Sequence, residues 1–269
     1  MSYEKWLRLI YENPVGKVTL PHLVKRKFLS RLYGLYCKSS FSAKKIPQFI
    51  EDYQVDMTGC DNSLQSYKNF AEFFAREKAG IKFPDSPDIL GSPCEGLLSV
   101  QADIDPDKVI AAKDSFFSLA ELFNDEALAE AYRGGCMLKI RLTPANYHRI
   151  HFFDDGKVCG IKLIDGDLYS VNPIAVSRIV RLYCRNKRAL ILFSSQNFGD
   201  AVIVEVGATF VGSIVHCAND GEHVKRGQTA GYFLPGGSLV LIFLKKGVYT
   251  PSNGSNSSFE TKICVGEAL

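Results

Sequence analysis

The sequence predicts an α+β fold, in which a helical N-terminal region precedes a mostly antiparallel β core. Apolar residues recur at helical spacing through the first third of the chain, whereas from Cys136 onward short apolar runs alternate with turn residues. The chain has 269 residues, of which 46% are hydrophobic and 12% aromatic. It is therefore long and apolar enough to bury a sizeable core.

The N-terminal region contains four helical patterns. They cover residues 3 to 11, 21 to 36, 42 to 52 and 66 to 78. Pro14, Pro21 and the turn sequence TGCDNS separate them. A strand is predicted over residues 97 to 102, after the turn sequence SPCEG. A further helix is predicted over residues 117 to 132, because Gly134-Gly135 follows as a stop signal.

Eight short apolar runs predict the strands of the core. They are CMLKIRLT, HRIHFF, VCGIKLI, ALILFSS, AVIVEVGATFVGSIV, TAGYFL, LVLIFLKK and KICVG. The stretches VEVGATFVGSI and HVKRGQTAGYFLPGGSLV resemble the barrel-sandwich-like hairpins of biotinyl and lipoyl carrier domains. Those carriers place a lysine at the hairpin tip, where this chain has Gly236-Gly237-Ser238. A carrier function is therefore the weakest interpretation.

We expect two regions, a helical and basic one over residues 1–90 and a β-rich one over residues 91–269. Residues 1–50 hold ten Lys or Arg against Glu4 and Glu12, a balance of +8, so the remaining residues carry −5 of the net charge of +3. Basic helices with an apolar face are typical of proteins that lie on an anionic membrane. Packing of these helices on their own domain is the alternative. No recognised nucleic-acid-binding motif accompanies the charge.

Other features limit the location of the protein and its metal chemistry. No apolar run reaches the roughly 18 to 20 residues that cross a bilayer, and the N-terminus lacks the apolar core of a signal peptide. We therefore expect the chain to stay on the cytoplasmic side. The eight cysteines occur singly, without a CxxC pair. We expect reduced thiols in core positions, and neither a disulfide framework nor a zinc site.

A serine at the start of an apolar run is the first candidate for chemistry. Ser238 follows Pro235-Gly236-Gly237. Because glycine tolerates strained backbone conformations, the Ser238 hydroxyl could attack the preceding carbonyl and form an ester by an N-to-O acyl shift. β-Elimination would then break the chain and leave a dehydroalanine that hydrolyses to a pyruvoyl group. An ordinary type II turn centred on Pro235 and Gly236 is the alternative.

Two histidines and a glutamate could assist that serine. His148 and His151 lie in TPANYHRIHFFDDG, and an imidazole is suited to remove a proton from a hydroxyl near neutral pH. The residues between them exclude an HEXXH zinc site. Glu95, in the SPCEG turn, could orient an imidazole as the acid of a Ser, His, acid relay. The alternatives are a polar strand end for the histidines and a surface turn for the glutamate.

Taken together, these stretches resemble the phosphatidylserine decarboxylase proenzymes, specifically the bacterial branch with a Gly-Gly-Ser cleavage motif. The likeness covers nearly the whole chain in the family's order. It is carried by FLSRLYGLYCKSSFSAKKIPQFIEDYQVDM, SPCEG, YHRIHF, LYSVNPIAVSRI, FGDAVIVEVGATFVGSI, KRGQTAGYFLPGGS and the closing GEAL.

The resemblance implies self-cleavage between Gly237 and Ser238. The products would be a β chain of residues 1–237 and an α chain of residues 238–269, which stay together as a heterodimer. Ser238 would become an N-terminal pyruvoyl group, the cofactor for converting phosphatidylserine into phosphatidylethanolamine and CO2. No metal and no pyridoxal phosphate is implied. Whether two heterodimers associate stays open.

The resemblance also implies roles for the other candidates. His151 would be the base of the self-cleavage relay, and Glu95 would match the family's acid. His148 would lie in the substrate pocket, where it would position or protonate the substrate. Because the substrate is a lipid, the resemblance favours peripheral binding of the basic helices to the cytoplasmic side of the cell membrane.

Three positions depart from the family's pattern. Glu95 replaces Asp, and Leu239 replaces the Thr or Ser that follows the cleavage serine. The family's F-F-x-R-x-L-x-x-x-x-R-P is reduced to FFAREKAGIKFP, which keeps Phe73, Phe74 and Arg76. Two alternatives therefore stay open: a pyruvoyl decarboxylase of another amino acid or amino-phospholipid, and a lipid-binding relative that does not cleave itself.

Overall fold

Short helices precede a large antiparallel sheet in the computed structural model of the chain, and this arrangement confirms the predicted α+β fold. The structure describes residues 11–13, 27–60, 63–112, 115–208, 214–236, 238–250 and 260–269. Three features of the sequence lie outside these ranges. They are most of the helix predicted over residues 3 to 11, Gly237 at the proposed cleavage bond, and the Ser/Asn/Gly-rich segment at 251 to 258.

Three helices form the N-terminal part of the described chain. They are α1 (Lys27–Lys38), α2 (Ile46–Tyr53) and α3 (Phe70–Phe74), with 3-10 turns at Ser40–Lys45 and Leu64–Ser66. Helix α3 begins where the Asn69 side chain accepts a hydrogen bond from the backbone N–H of Glu72. It is shorter than the predicted helix over residues 66 to 78. Its aromatic side chains pack with α1 and α2 into an aromatic cluster that includes Phe70, Phe73 and Phe74.

The single helix predicted over residues 117 to 132 is wrong. The chain forms two helices there, α4 (Leu119–Phe123) and α5 (Glu126–Glu130). Asn124 ends the first in the left-handed conformation, with φ of 50°, and the Asp125 side chain caps the second by accepting from the Leu128 N–H. Two further short helices, α6 (Pro173–Val176) and α7 (Leu182–Arg185), occupy the segment NPIAVSRIVRLYCRNKR.

The described residues form thirteen strands, of which ten overlap predicted strands and three, at 109–112, 115–117 and 223–224, were not predicted. The thirteen are β1 (Gly96–Ala102), β2 (Val109–Ala112), β3 (Ser115–Phe117), β4 (Cys136–Leu142), β5 (Arg149–His151), β6 (Gly156–Ile164), β7 (Arg188–Ser195), β8 (Gly199–Gly207), β9 (Ile214–His216), β10 (His223–Val224), β11 (Thr229–Phe233), β12 (Ser238–Leu244) and β13 (Thr261–Ile263).

Eight of these strands form one sheet in the order β10-β6-β7-β8-β12-β4-β1-β13. Every pair of neighbours in it is antiparallel. Strands β5, β11 and β9 form a second sheet, and β2 pairs with β3. Strand β12 therefore lies inside the large sheet, between β8 and β4.

Both faces of β12 are buried, which explains its uninterrupted apolar sequence. Leu239, Leu241 and Phe243 belong to the cluster that includes α4. Val240 and Ile242, on the opposite face, belong to the cluster that includes residues of β5 and β11. The smaller sheet thus covers the face of β12 on which the Ser238 side chain also lies, because side chains alternate along a strand.

The cysteines only partly follow the expectation of core thiols. All eight are free; Cys37, Cys94 and Cys136 are buried, whereas Cys159, Cys217 and Cys264 are exposed. Within the described ranges, no group of three His, Cys, Asp or Glu side chains is arranged to hold a metal ion. None of the helices in those ranges is long and apolar enough to span a bilayer.

Candidate active site

Ser238 is the first residue of β12, and its side chain is fully buried. It pairs with Gly207 of β8 on one side and with Leu142 of β4 on the other. Gly236, two residues earlier, has φ of 157°, far from the value of about 80° that the third position of a type II turn requires. The described backbone at Gly236 therefore does not fit an ordinary type II turn, and Ser238 is held by strands on both sides.

His148 lies against the serine. Its Nδ1 is 3.4 Å from Ser238 Oγ, although the two residues are 90 positions apart in the chain. The ring is fully buried and stacks on Phe74, with centroids 3.9 Å apart. Burial, helped by the nearby Arg76 guanidinium, lowers the pKa of His148 to about 3. The imidazole is therefore neutral near pH 7 and can accept a hydrogen bond from the Ser238 hydroxyl.

His151, on β5, has both ring nitrogens engaged elsewhere. Its Nδ1 lies 2.7 Å from the Gly227 carbonyl oxygen, and its Nε2 lies 3.1 Å from the Tyr147 hydroxyl. Because a carbonyl can only accept, Nδ1 carries the proton and Nε2 accepts from Tyr147 in the neutral ring. Burial lowers the pKa of His151, and the bond to Gly227 opposes that effect. None of its described hydrogen bonds reaches Ser238.

Glu95 borders the loop that leads to His148. Its Oε1 accepts from Asn146 Nδ2 at 2.8 Å, and its Oε2 is 3.9 Å from Lys78 Nζ. Asn146 also accepts from the Thr143 N–H at 2.7 Å, so the glutamate stabilises the turn two residues before His148. The described hydrogen bonds do not join Glu95 to either imidazole, and its role as the relay acid stays a prediction.

Arg76 was not predicted as a site residue from the sequence. It is 3% exposed, and its guanidinium lies 5.2 Å from the centroid of the Phe73 ring. The spacing of Phe73, Phe74 and Arg76 in FFAREK contained the signal, since Phe74 ends α3 against His148 and Arg76 follows near the same imidazole. The chain keeps these three residues of the family's pattern, but the pattern alone did not indicate what they do.

A buried glutamate on β8 is a second residue that was not predicted. Glu205 is fully buried, and its Oε2 lies 2.8 Å from Nε2 of His216. It pairs with Val240, two positions after Ser238, and so lies on the same face of the sheet as the serine. Burial raises the pKa of Glu205, and the bond to Glu205 raises the pKa of His216. The lone acid in the apolar run AVIVEVG was the available signal.

Comparisons with known proteins identify the family of this chain. The family model described as phosphatidylserine decarboxylase matches residues 68–269. A phosphatidylserine decarboxylase proenzyme of Ruminiclostridium cellulolyticum is 41% identical, over 98% of this chain and 90% of that protein. Proenzymes of the same name from Clostridium perfringens and Clostridium botulinum are 41% and 39% identical over at least 98% of this chain and 92% of theirs. These matches show that the chain belongs to the phosphatidylserine decarboxylase family.

Proposed function

We propose that this chain is a proenzyme that cleaves itself between Gly237 and Ser238 and then converts phosphatidylserine into phosphatidylethanolamine and CO2. The observation that carries the proposal is the Ser238 hydroxyl, buried at the start of a central strand and 3.4 Å from an imidazole. The names of the relatives support the substrate.

Self-cleavage at this serine would proceed through an ester and then an elimination. The Ser238 oxygen attacks the Gly237 carbonyl carbon, its proton moves to a base, and the peptide C–N bond breaks to give an ester and a free amine. Loss of the Ser238 α-proton then expels the Gly237 carboxylate and leaves dehydroalanine. Its imine tautomer takes up one water and releases one ammonia. The β chain therefore ends in a carboxylate, and the α chain begins with a pyruvoyl group.

The residues around Ser238 fit such a group. Position 238 is fully buried, it is fixed by pairing to β8 and β4, and it faces an imidazole that burial keeps neutral. A pyruvoyl carbonyl supplies an electron-withdrawing centre for decarboxylation of an α-amino acid. His148 is placed to accept or return a proton there.

The geometry favours His148 as the group that takes the hydroxyl proton during cleavage. It is the imidazole in contact with Ser238 among the described residues, whereas the ring of His151 bonds to Gly227 and Tyr147. This proposal differs from the role of His151 that the family resemblance implies.

Mass measurements test the cleavage. Intact mass of the purified protein is expected to show two chains, the smaller of residues 238–269 with a blocked N-terminus, and Ser238→Ala is expected to give one uncleaved chain. A single uncleaved wild-type chain after prolonged incubation would contradict the proposal. Release of CO2 from phosphatidylserine, compared with free serine, then tests the substrate.

Two variants separate the roles of the histidines. His148→Gln is expected to slow self-cleavage by about 10²-fold or more, because it removes the acceptor in contact with Ser238. His151→Gln is expected to have the smaller effect on cleavage. The rates are measured from the conversion of precursor into two chains. A larger loss of cleavage rate in His151→Gln than in His148→Gln would indicate that His151 is the base.

We also propose that the protein binds the cytoplasmic face of the cell membrane peripherally. Helix α1 and the turn after it expose apolar side chains: Leu32, Leu35, Tyr36 and Phe41 are 45%, 59%, 37% and 73% exposed. Lys38, Lys44 and Lys45 lie in the same segment, and Lys45 is 4.9 Å from the Tyr36 ring centroid. Apolar side chains flanked by lysines suit the surface of an anionic bilayer.

Vesicle binding tests the membrane surface. The double substitution Leu35→Ser and Phe41→Ser is expected to weaken binding to phosphatidylglycerol vesicles at least tenfold, because each side chain loses the burial of its apolar area. Leu163→Ser with Val180→Ser is the matched control, since these residues are 67% and 74% exposed elsewhere. Equal binding by the two double variants would contradict this surface.

A further inference from the structure

Two buried arginines of this protein differ in their partners. Arg188 is 4% exposed and donates from all three of its guanidinium nitrogens to backbone carbonyls of Leu122, Cys184, Asn186 and Glu121, at 2.5 to 3.1 Å. Arg76 is 3% exposed, and its Nε and Nη1 have no partner within the described part of the chain. Its Nη2 makes two long contacts, at 3.5 and 3.4 Å, to the carbonyls of Ala145 and Asn146.

Arg76 also has no carboxylate partner among the described ion pairs. A guanidinium stays charged at any pH at which proteins fold, so burying it without an anion is unfavourable. Its neighbours are aromatic: it lies over the Phe73 ring, and the adjacent Phe74 ring stacks on His148. A buried cation with unused donors near the His148 imidazole is suited to bind an anion.

We propose that Arg76 binds the phosphodiester of the substrate headgroup. This inference rests on the proposed function, which supplies two anions, the phosphodiester and the serine carboxylate. The carboxylate leaves as CO2, and a guanidinium on it would stabilise the ground state that must react. The phosphodiester is unchanged by the reaction, so binding it holds the amino acid in place without such a penalty, and arginine is well suited to bind phosphate.

The segment before the proposed cleavage bond lies near the aromatic cluster beside Arg76. Leu234, three residues before the cleavage glycine, packs against the aromatic cluster that contains Phe73 and Phe74. Breaking the bond after Gly237 turns this segment into a chain end. Cleavage would therefore leave a chain end near the cluster that contains Phe73, the ring over which the Arg76 guanidinium lies.

Binding of soluble headgroups to the mature, two-chain enzyme tests the proposal. Calorimetry compares glycerophosphoethanolamine, which carries the phosphodiester, with ethanolamine, which lacks it. The wild type is expected to bind the phosphodiester at least tenfold more tightly. Arg76→Gln is expected to abolish most of that ratio, a loss of roughly 10- to 100-fold, as for a hydrogen bond to a charged group. Arg76→Lys, which keeps the charge, is expected to fall between them and replaces Arg76→Gln if that variant does not mature.

Arg188→Lys is the matched control, because it removes a buried guanidinium in which every nitrogen already donates to a backbone carbonyl. It is expected to lower stability and leave the binding ratio unchanged. A wild-type enzyme without preference for the phosphodiester, or Arg76 variants that keep the full preference, would overturn the proposal. A selective loss of affinity for free serine in Arg76→Gln would assign the arginine to the carboxylate instead. These ratios are measured without turnover, so they are distinct from a failure to release CO2 from phosphatidylserine.

Discussion

Glu95 stabilises the loop that leads to His148. Its carboxylate accepts from Asn146 at 2.8 Å, and Asn146 in turn accepts from Thr143, which fixes the loop before His148. Because the family has Asp at this position, the longer side chain changes where the charge lies. The contact to Asn146 nevertheless keeps Glu95 in the loop that presents the imidazole.

We predict that Glu95→Gln slows self-cleavage by about 10²-fold, because an acid of the relay would lose the charge that favours a protonated imidazole. The rate is measured from the conversion of precursor into two chains. Glu95→Asp is the control, since it restores the family's residue and is expected to cleave. Normal maturation of Glu95→Gln would show that Glu95 acts only through its hydrogen bond to Asn146.

Short sequence patterns explain which residues of the candidate site could be predicted. Ser238, His148 and Glu95 were found because each lies beside a Gly, Pro or aromatic signal in the sequence. The contact between Ser238 and His148 could not be predicted, since it joins residues 90 positions apart through the pairing of different strands. The free donors of Arg76 depend on burial among side chains from several segments, which no local spacing reveals.

At the scale of elements, β12 is the strand that would begin the α chain after the proposed cleavage. Its seven residues, Ser238–Leu244, all pair with β8 and with β4. The α chain also supplies β13, which pairs with β1 at the edge of the sheet. The strand assignments were predictable because apolar runs and turns are local signals. The break between α4 and α5 was missed because Asn124 reads equally well inside a helix or at its end.

We predict that the α chain stays bound after cleavage. Removing β12 would expose a strand buried on both faces and break its pairing on both edges. Gel filtration of the mature protein is expected to show both chains in one peak, and unfolding in urea is expected to separate them. An α chain that elutes alone in native buffer would contradict the pairing described for β12.

Phe243 tests the packing of the same strand. It is fully buried and lies edge-on to Phe123, with centroids 5.1 Å apart, and to Tyr132 at 6.4 Å. We predict that Phe243→Ala lowers the free energy of unfolding by about 3 to 5 kcal/mol, because it leaves a cavity between β12 and α4. Urea unfolding of the uncleaved Ser238→Ala protein measures it. Leu163→Ala, at a residue 67% exposed, is the control and is expected to change stability by less than about 0.5 kcal/mol.

At the scale of the whole molecule, the buried imidazoles make stability depend on pH. The pKa of His148 is about 3 in the folded protein, against 6.5 for an ordinary histidine, because burial disfavours its charged form. Below about pH 6.5 the unfolded chain therefore binds a proton that the folded chain does not. The contribution of His148 to stability is complete above pH 6.5 and is lost as the pH falls from 6.5 toward 3. His216 has the opposite sign, since Glu205 raises its pKa: its contribution is present at low pH and is lost as the pH rises through that raised pKa.

We predict that the uncleaved Ser238→Ala protein loses about 2 kcal/mol of unfolding free energy between pH 7 and pH 5 through His148, at ~1.4 kcal/mol per pH unit. Urea unfolding at the two pH values measures it, and one chain keeps the transition free of cleavage products. The matched protein adds His148→Phe, which keeps an aromatic ring against Phe74 but has no proton to bind. Its loss over the same range is expected to be smaller by that amount, because the other titrating groups are common to both proteins. Equal losses would mean that His148 is protonated in the folded state at pH 5, and a charged imidazole beside Ser238 could not accept the hydroxyl proton in mild acid.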